Sequence, residues 1–184
     1  MRKIENVRDY VLELLNKGAD PKYYKKYARV KAVQVQEEKQ VTTVMKDGHI
    51  EVDGVFAEKS DWIVTNPDGE QYVVHHADFV KKYEVEADAE GYHLPIGAPI
   101  QAIPVNEDIV FDVPWGKNRS PIPFELKKDG YLVIPANPKS SIYGIQKMEF
   151  FNTYSICNEK GIFKDESLRK AFGQEEENGD TENS

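Results

Sequence analysis

The sequence predicts an α+β protein with two small antiparallel β modules in tandem behind an N-terminal helix, each module a bent sheet or half-barrel closed by a short helix. Three observations support this prediction. Apolar residues recur at helical spacing near the N-terminus, they alternate with polar residues from Arg29 onward, and one order of strands and closing helix then occurs twice. We therefore expect the two modules to be related by pseudo-symmetry.

Residues 1–28 are predicted to form an N-terminal helical segment. One face of its first helix contains the apolar side chains of Ile4, Val7, Val11, Leu14 and Leu15. Gly18 is expected to end this helix. A second short helix is expected over residues 21–30, where tyrosines interleave with lysines. Nucleic-acid interfaces use such a mixture. Because the chain as a whole carries little basic character, with a net charge of -8, we favour a surface helix whose tyrosines pack on the sheet.

The first module is predicted to span residues 29–85. An Asp47-Gly48 turn indicates one hairpin, and a second turn at residues 67–69 precedes a strand that contains a tyrosine. Phe79 and Tyr83 then lie at the spacing of one helical face. A short helix should therefore close this module.

The second module is predicted to span residues 99–156 and repeats the first in order, period and residue class. The matched positions are Ala32 and Ala102, Val33 and Ile103, Val35 and Val105, Trp62 and Tyr131, Tyr72 and Tyr143, Phe79 and Phe150, and Tyr83 and Tyr154. Because the aromatic positions recur in both copies, core packing explains them most economically. Residues found in only one copy are the better functional candidates.

Three further segments complete the predicted organisation. Residues 86–98 combine acidic residues with Gly91, Pro95 and Gly97 and show no clear period, as a linker would. Residues 157–172 are predicted to hold a short C-terminal helix. Residues 173–184 are acidic and almost devoid of apolar side chains, which predicts a disordered tail.

One run of the first module carries a signature. An acidic residue precedes an aromatic strand, followed by a turn glycine, a tyrosine, and a phenylalanine and tyrosine in the closing helix; these are Asp61, Trp62, Gly69, Tyr72, Phe79 and Tyr83. Residues 59–85 thereby resemble the PGDYG family of small, largely uncharacterised bacterial and phage proteins. Lys59 and Ser60 stand where that family has Pro-Gly. The resemblance implies a bacterial or phage source and a cytoplasmic location, and it implies no reaction.

Composition narrows the classes of function. No apolar run approaches the roughly 18 residues that a membrane helix needs, and the charged N-terminus does not fit a signal peptide. A single cysteine, Cys157, excludes an internal disulfide framework and fits the reducing cytoplasm. The net charge of -8 argues against broad nucleic-acid binding, which needs clustered Lys and Arg.

The segment VPWGKNRSPIPF is the most site-like stretch of the chain. Trp115 offers a flat apolar surface, Lys117 and Arg119 offer positive charge, and Gly116 permits close backbone approach. Such a loop suits a nucleotide, a phosphate or an acidic peptide. A hairpin loop that packs Trp115 onto the linker is the simpler alternative.

The histidine pair His75 and His76, with Asp78 close behind, is the second candidate. Adjacent strand residues point to opposite faces, so the two imidazoles should not share a metal, and we expect no metal and no cofactor. We expect Asp78 to be the N-cap of the closing helix. Cys157 follows an apolar run, which favours a buried structural thiol.

These patterns favour a non-enzymatic binding or adaptor protein, of phage or mobile-element origin, that recognises a small anionic ligand or a protein partner. The alternatives are a small hydrolase or transferase that uses His75 or His76 with Asp78, or Cys157, and a nucleic-acid-binding module. Residues Trp115, Lys117, Arg119, His75 and His76 are the expected ligand-binding residues.

Overall fold

The computed structural model describes residues 1–44, 50–67, 69 and 71–174. In chain order its elements are β1 (Arg2–Lys3), α1 (Val7–Asn16), β2 (Lys22–Lys26), β3 (Lys31–Gln34), β4 (Lys39–Val44), β5 (Ile50–Ala57), β6 (Trp62–Thr65), β7 (Gln71–Val74), α2 (His76–Lys82), β8 (Ile100–Pro104), β9 (Ile109–Val113), a 3-10 turn (Lys117–Arg119), β10 (Ile122–Leu126), β11 (Tyr131–Ile134), β12 (Tyr143–Ile145), α3 (Lys147–Thr153), β13 (Tyr154–Cys157) and α4 (Glu166–Ala171). The predicted Asp47-Gly48 turn and the predicted acidic tail beyond Gln174 lie outside the described residues.

The chain forms two compact units. The smaller unit is Lys26–Gly97, and the larger unit joins Met1–Lys25 to the chain from Ala98 onward. Both combine antiparallel strands with a short closing helix, and α1 lies in the larger unit. This confirms the predicted α+β class, and no sheet of the described residues closes into a barrel. Within the same residues, no helix is both long and apolar enough to cross a membrane.

A three-stranded antiparallel sheet in the order β3-β6-β7 forms the centre of the smaller unit. Alternation along β6 turns Trp62 and Val64 to one face, where both are buried together with Phe79 of α2. The β4–β5 hairpin belongs to the same unit. Strands, hairpin and closing helix thus follow one another in the order expected for the first module.

Part of the segment predicted as a linker, residues 86–98, is folded onto the smaller unit instead. His93 is 5% exposed, and its backbone exchanges two hydrogen bonds with Val30. Its ring meets both Trp62 and Phe79 edge-on at 5.3 Å. An isolated bridge and one buried ring produce no hydrophobic period, which is why the sequence pattern did not reveal this contact.

Two sheets build the larger unit, one in the order β12-β11-β8-β2-β13 and one in the order β1-β9-β10. Successive residues of β8 and β11 face opposite sides, so both faces of the five-stranded sheet are buried. Ile103 and Leu132 belong to the cluster that contains the apolar face of α1. Ala102 and Val133 belong to a second cluster, with Phe150 of α3.

Helix α1 forms where the sequence predicts it. Asn6 is the N-cap, and its side-chain oxygen accepts the backbone N–H groups of Arg8 and Asp9 at 3.0 and 3.2 Å. Gly18 follows the helix with φ +91°, a backbone conformation that suits glycine. The buried positions Tyr10, Val11 and Leu14 lie at helical spacing, so the burial of one face stabilises the helix.

The helix predicted over residues 21–30 is wrong, because Lys22–Lys26 is strand β2 and pairs antiparallel with β8. In this strand Tyr24 is buried, and its ring meets Phe150 at 4.9 Å and Tyr131 at 5.8 Å. Tyrosine favours strands, and burial of one ring outweighs the weak helical spacing. Tyr24 is therefore a core residue and is not available to stack on a nucleic-acid base.

The two units repeat one arrangement of aromatic strand and closing helix. Trp62 stacks on Phe79 with ring centroids 4.1 Å and planes 9° apart, and Tyr131 stacks on Phe150 at 4.0 Å and 6°. Helices α2 and α3 each have 7 residues and each follow an extended residue. Both ring pairs lie in buried clusters, which confirms the prediction that the recurring aromatics pack in the cores.

The turn that precedes each aromatic strand is also repeated. Ser60 and Asp129 both adopt left-handed backbone, with φ +82° and +68°. The N–H of Ser60 donates to the carbonyl of Val35 at 2.9 Å, and that of Asp129 donates to Val105 at 2.8 Å. Ser60 stands at the glycine position of the PGDYG pattern and keeps the backbone that glycine adopts most readily.

We predict that Phe150→Ala destabilises the larger unit by about 3–5 kcal/mol, because it leaves a cavity beneath the stacked Tyr131 ring. The adjacent Phe151 is 46% exposed, so Phe151→Ala is the matched control and should cost much less. Chemical denaturation followed by far-ultraviolet circular dichroism measures both. Equal losses of stability would contradict the repeated-core interpretation.

Candidate functional site

The turn between β9 and β10 presents the predicted residues Trp115, Lys117 and Arg119. Backbone hydrogen bonds close this turn, with the N–H of Gly116 donating to Ser120 and that of Arg119 donating to Gly116, both at 2.9 Å. Two successive residues inside it, Asn118 and Arg119, have φ of +55° and +61°. Left-handed backbone costs a residue with a side chain about 1–2 kcal/mol, so neighbouring contacts must hold this conformation.

Gly116 is required here for space rather than for its backbone angle. A Cβ at this position would meet the carbonyl oxygen of Ser120 at 2.7 Å and Ile122 at 3.0 Å. The carbonyl belongs to backbone that is already hydrogen-bonded to Gly116, so it cannot move aside without opening the turn. A side chain at residue 116 would therefore displace Trp115 and Arg119 together.

Trp115 is anchored by an aromatic contact with β10. Its ring meets Phe124 edge-on at 5.5 Å, and Phe124 meets the buried Phe111 in the same way at 5.8 Å. Phe124 also lies over Gly144, where a Cβ would come within 2.7 Å of its ring. This chain of contacts fixes Trp115 while 54% of its surface stays exposed. The predicted packing of Trp115 onto a linker is replaced by packing onto Phe124.

A second loop, residues 135–142, faces this turn. Arg8 of α1 holds it, because one guanidinium nitrogen donates to the carbonyls of Pro138 and Ser140, each at 2.6 Å. The side chain of Asn137 accepts the N–H of Lys139 at 3.0 Å and closes a small turn within the loop. Residues 130 or more positions apart in sequence thus build one wall of the site, and no local sequence pattern predicts this contact.

The turn and the loop enclose a cleft with a volume of about 330 Å³, lined by Pro114, Trp115, Arg119, Asn137, Lys139, Ser140, Ser141 and Tyr143. An adjoining cleft of about 380 Å³ shares Pro114, Lys139, Ser140 and Ser141, and it also contains Glu5 and Asp112. Two predicted residues, Trp115 and Arg119, therefore line one cleft. Lys117 belongs to the same turn but does not line it.

The charge of the first cleft is positive. Arg119 and Lys139 line it, and neither forms an ion pair within the part of the chain that the structure describes. No carboxylate lines this cleft, whereas Glu5 and Asp112 line the adjoining one. Unpaired cations beside an exposed indole favour an anionic ligand that also has a flat ring.

His75 lies in the smaller unit, and its partner is Asp61 rather than Asp78. Its Nδ1–H donates to both carboxylate oxygens of Asp61, each at 3.2 Å. The Asp61 side chain is 7% exposed and also accepts the N–H of Glu58 at 3.0 Å, whereas the His75 side chain is 71% exposed. Hydrogen bonding to Asp61 raises the pKa of His75 above its ordinary value.

His76 makes a different bond. The indole Nε1–H of the buried Trp62 donates to Nδ1 of His76 at 3.1 Å. Because Nδ1 accepts this bond, the ring proton of a neutral His76 must be on Nε2. Neutral His75 has the opposite arrangement, with its proton on Nδ1 and a lone pair on Nε2. The two neighbouring imidazoles therefore present different groups to solvent.

The same positions of the larger unit carry no comparable pair. Gly130 replaces Asp61, since both precede the aromatic strand and both accept the N–H of a valine from the facing strand. Gln146 replaces His75 as the residue before the closing helix. The Gln146 side chain accepts the N–H of Lys127 and donates to the carbonyl of Glu125, so it only joins backbone groups. The shared fold thus requires neither Asp61 nor His75.

The structure also bears on the predictions for Asp78 and Cys157. Asp78 was expected to be the N-cap of α2, but the helix begins earlier and its N-cap is His75, so Asp78 lies in the first turn. Cys157 is buried, and desolvation raises the pKa of its thiol to about 11, which suits a structural role. No cluster of three His, Cys, Asp or Glu suited to a metal occurs within the described ranges.

Sequence reasoning did not identify Asp61, Lys139 or Arg8 as site residues. Asp61 and His75 lie 14 positions apart on different elements, and Arg8 acts through backbone carbonyls. A signal for Asp61 did exist, because the aligned second copy has Gly130 at this place. Lys139 had no such signal, since its loop is held by Arg8, a residue 130 or more positions away whose contacts are to backbone carbonyls.

The chain matches no protein-family model, no curated protein and no solved structure at a significant level of similarity.

We predict that Gly116→Ala destabilises the larger unit by about 1–3 kcal/mol, because the added methyl group is forced against backbone. Gly97→Ala is the control, since a Cβ at residue 97 would meet nothing within 4 Å. Thermal unfolding measures the stability, and the ¹H–¹⁵N shifts of Trp115 report the displaced turn. A turn unchanged in Gly116→Ala would show that our account of its packing is wrong.

We predict that Asp61→Asn lowers the pKa of His75, because the amide keeps the shape but removes the charge that favours the imidazolium. A raised native pKa adds stability below the unfolded pKa, and this stability is lost as pH rises through the native value. The variant should therefore lose more stability relative to wild type at acidic than at alkaline pH. NMR titration of the His75 ring measures the midpoint, and an unchanged midpoint would contradict the pairing.

Proposed function

We propose that this protein is a non-enzymatic binding protein whose ligand is a small anion with a planar ring, held in the cleft between Trp115 and Lys139. The observation that carries this proposal is the combination of one exposed indole and two cations without carboxylate partners on the walls of one cleft, within the described residues. Binding, rather than chemistry, is favoured because neither histidine nor cysteine lines this cleft.

The size of the cleft favours a small ligand. A volume of about 330 Å³ lies at the lower end of the range for small-molecule sites. A ring stacked on Trp115 and one phosphate or carboxylate group directed at Arg119 and Lys139 would fill such a space. A nucleoside monophosphate has these features and is the class of ligand that we propose.

A protein partner is the second candidate, because the adjoining cleft shares four lining residues with the first and extends its surface. The charge of such a peptide would have to change along its length. It would be acidic beside Arg119, and in the adjoining cleft it would meet the carboxylates of Glu5 and Asp112 as well as the cations Arg8 and Lys139. Like charges repel at close range, so a uniformly acidic peptide fits less well than a compact anion.

The cellular setting is part of the same proposal. A single, buried cysteine supports a reducing compartment such as the cytoplasm. The bacterial or phage origin that the PGDYG resemblance implies is compatible with a small adaptor or ligand-binding protein.

We predict that adenosine monophosphate binds more tightly than adenosine or inorganic phosphate, since only the nucleotide engages both the indole and the cations. Arg119→Ala should weaken its binding at least about tenfold, because a charge-assisted hydrogen bond is lost. Lys117→Ala removes the same charge from the same turn but from outside the cleft, and it should change affinity less than about twofold. Isothermal titration calorimetry measures each dissociation constant.

The location of binding needs its own readout. Addition of nucleotide should shift the ¹H–¹⁵N resonances of Trp115 and Arg119, and Trp115→Phe should reduce the preference for the nucleotide over phosphate. Equal losses in Arg119→Ala and Lys117→Ala would show that general charge attraction, not the cleft, holds the anion. Absence of any shift at Trp115 would exclude the proposed site.

A further inference from the structure

The Asp61–His75 pair is independent of the cleft and lies in the other unit. We infer that His75 Nε2 is a nucleophilic acceptor site for a phosphoryl group, positioned by Asp61. The Asp61 carboxylate is buried, the His75 imidazole is 71% exposed, and both carboxylate oxygens lie 3.2 Å from Nδ1 of that ring.

The hydrogen bonds determine which ring nitrogen can react. An ionised carboxylate only accepts hydrogen bonds, so Nδ1 of His75 must carry the proton, and the lone pair of a neutral ring is then on Nε2. Asp61 cannot easily rotate away, because one of its oxygens also accepts the N–H of Glu58. The exposed nitrogen of His75 is thus held as a lone-pair donor in one orientation.

His76 provides an internal comparison. It is also exposed, but its Nδ1 lone pair accepts the N–H of Trp62, and its Nε2 carries the proton. No lone pair of neutral His76 therefore faces solvent while this bond is intact. Two adjacent imidazoles differ in nucleophilicity because their partners, Asp61 and Trp62, differ in hydrogen-bonding role.

The alternatives for His75 are less well supported. A purely structural role does not require an imidazole, because Gln146 fulfils that role at the equivalent place in the larger unit. A metal site needs further ligands, and none cluster within the described residues. Neither of the two clefts described above includes His75, so neither of them would present a substrate to it as a general base.

The chemistry favours a phosphoryl group over an acyl group. Water surrounds the exposed ring, and an acyl-imidazole hydrolyses quickly in water, whereas a phosphoryl-imidazole persists longer near neutral pH. In the step, the Nε2 lone pair attacks phosphorus, a P–N bond forms, and the bond from phosphorus to the leaving group breaks. Nδ1 keeps its proton, and the carboxylate of Asp61 balances the positive charge that develops on the ring.

Phosphoramidate is the probe, because it donates a phosphoryl group without an enzyme. Its own P–N bond breaks in the transfer, and its protonated nitrogen leaves as ammonia. The full-length protein is treated with potassium phosphoramidate, and peptide mapping assigns phosphate to each of the 4 histidines. We expect His75 to be phosphorylated well before His76 and the buried His93. The product should be acid-labile and show a ³¹P signal that His75→Gln removes.

Asp61→Asn tests the positioning role. The amide can still accept the N–H of Glu58, so the turn should persist, and a ¹H–¹⁵N spectrum checks this. We expect the plateau rate at His75, measured at a pH where the ring is neutral in both proteins, to fall on the order of tenfold, because the ring loses the carboxylate that selects its tautomer and stabilises the developing cation. The rate at His76 should not fall. The charged groups that influence His75 are Asp61, Asp78 and Glu58, and Asp78→Asn should have a much smaller effect.

The pH profile distinguishes a nucleophile from a bystander. The neutral ring is the reactive form, so the rate at His75 should rise with pH and level off above the pKa of that ring, and this midpoint should move down in Asp61→Asn. Equal phosphorylation of His75 and His76, or an unchanged plateau rate at high pH in folded Asp61→Asn, would overturn the inference.

Discussion

The stacked pair of aromatic rings is the interaction on which each module depends. It joins the aromatic strand to the closing helix, through Trp62 and Phe79 in one unit and Tyr131 and Phe150 in the other. Parallel rings about 4 Å apart add roughly 0.5–1.5 kcal/mol beyond the burial of their area. The larger effect is geometric, because a ring that must lie flat on another sets where the helix begins. In the smaller unit this places His75 and His76 at the helix start.

The left-handed turn before the aromatic strand is the second shared constraint. Both copies hold it by exchanging backbone hydrogen bonds with a valine, and both must satisfy the N–H of the residue that begins the turn. The copies satisfy that N–H differently. Gln146 reaches it with a neutral amide in the larger unit, whereas the carboxylate of Asp61 accepts it in the smaller unit. A buried carboxylate requires a cation or a donor nearby, and His75 supplies it.

The fold could be predicted further than the sites, for physical reasons. Period, turn residues and the repeat act locally, and they predict α1, the aromatic strands and both closing helices. Strand β2 was misassigned because a five-residue run of Lys and Tyr has no decisive period, and burial of Tyr24 between distant residues decided its conformation. The burial of His93 was not predicted either, because it also depends on contacts with residues distant in sequence.

The same difference between local sequence signals and contacts of distant residues applies to the two sites. Trp115 and Arg119 come from one turn, so their proximity follows from the sequence, whereas Lys139 reaches the cleft because Arg8 holds its loop over 130 positions away. Asp61 and His75 meet because the stacked rings bring the start of α2 beside the start of β6. The repeated scaffold therefore does more than support the divergent residues. It requires a backbone partner at each turn, and the chemical identity of that partner separates a structural glutamine from a solvent-facing imidazole paired with a carboxylate.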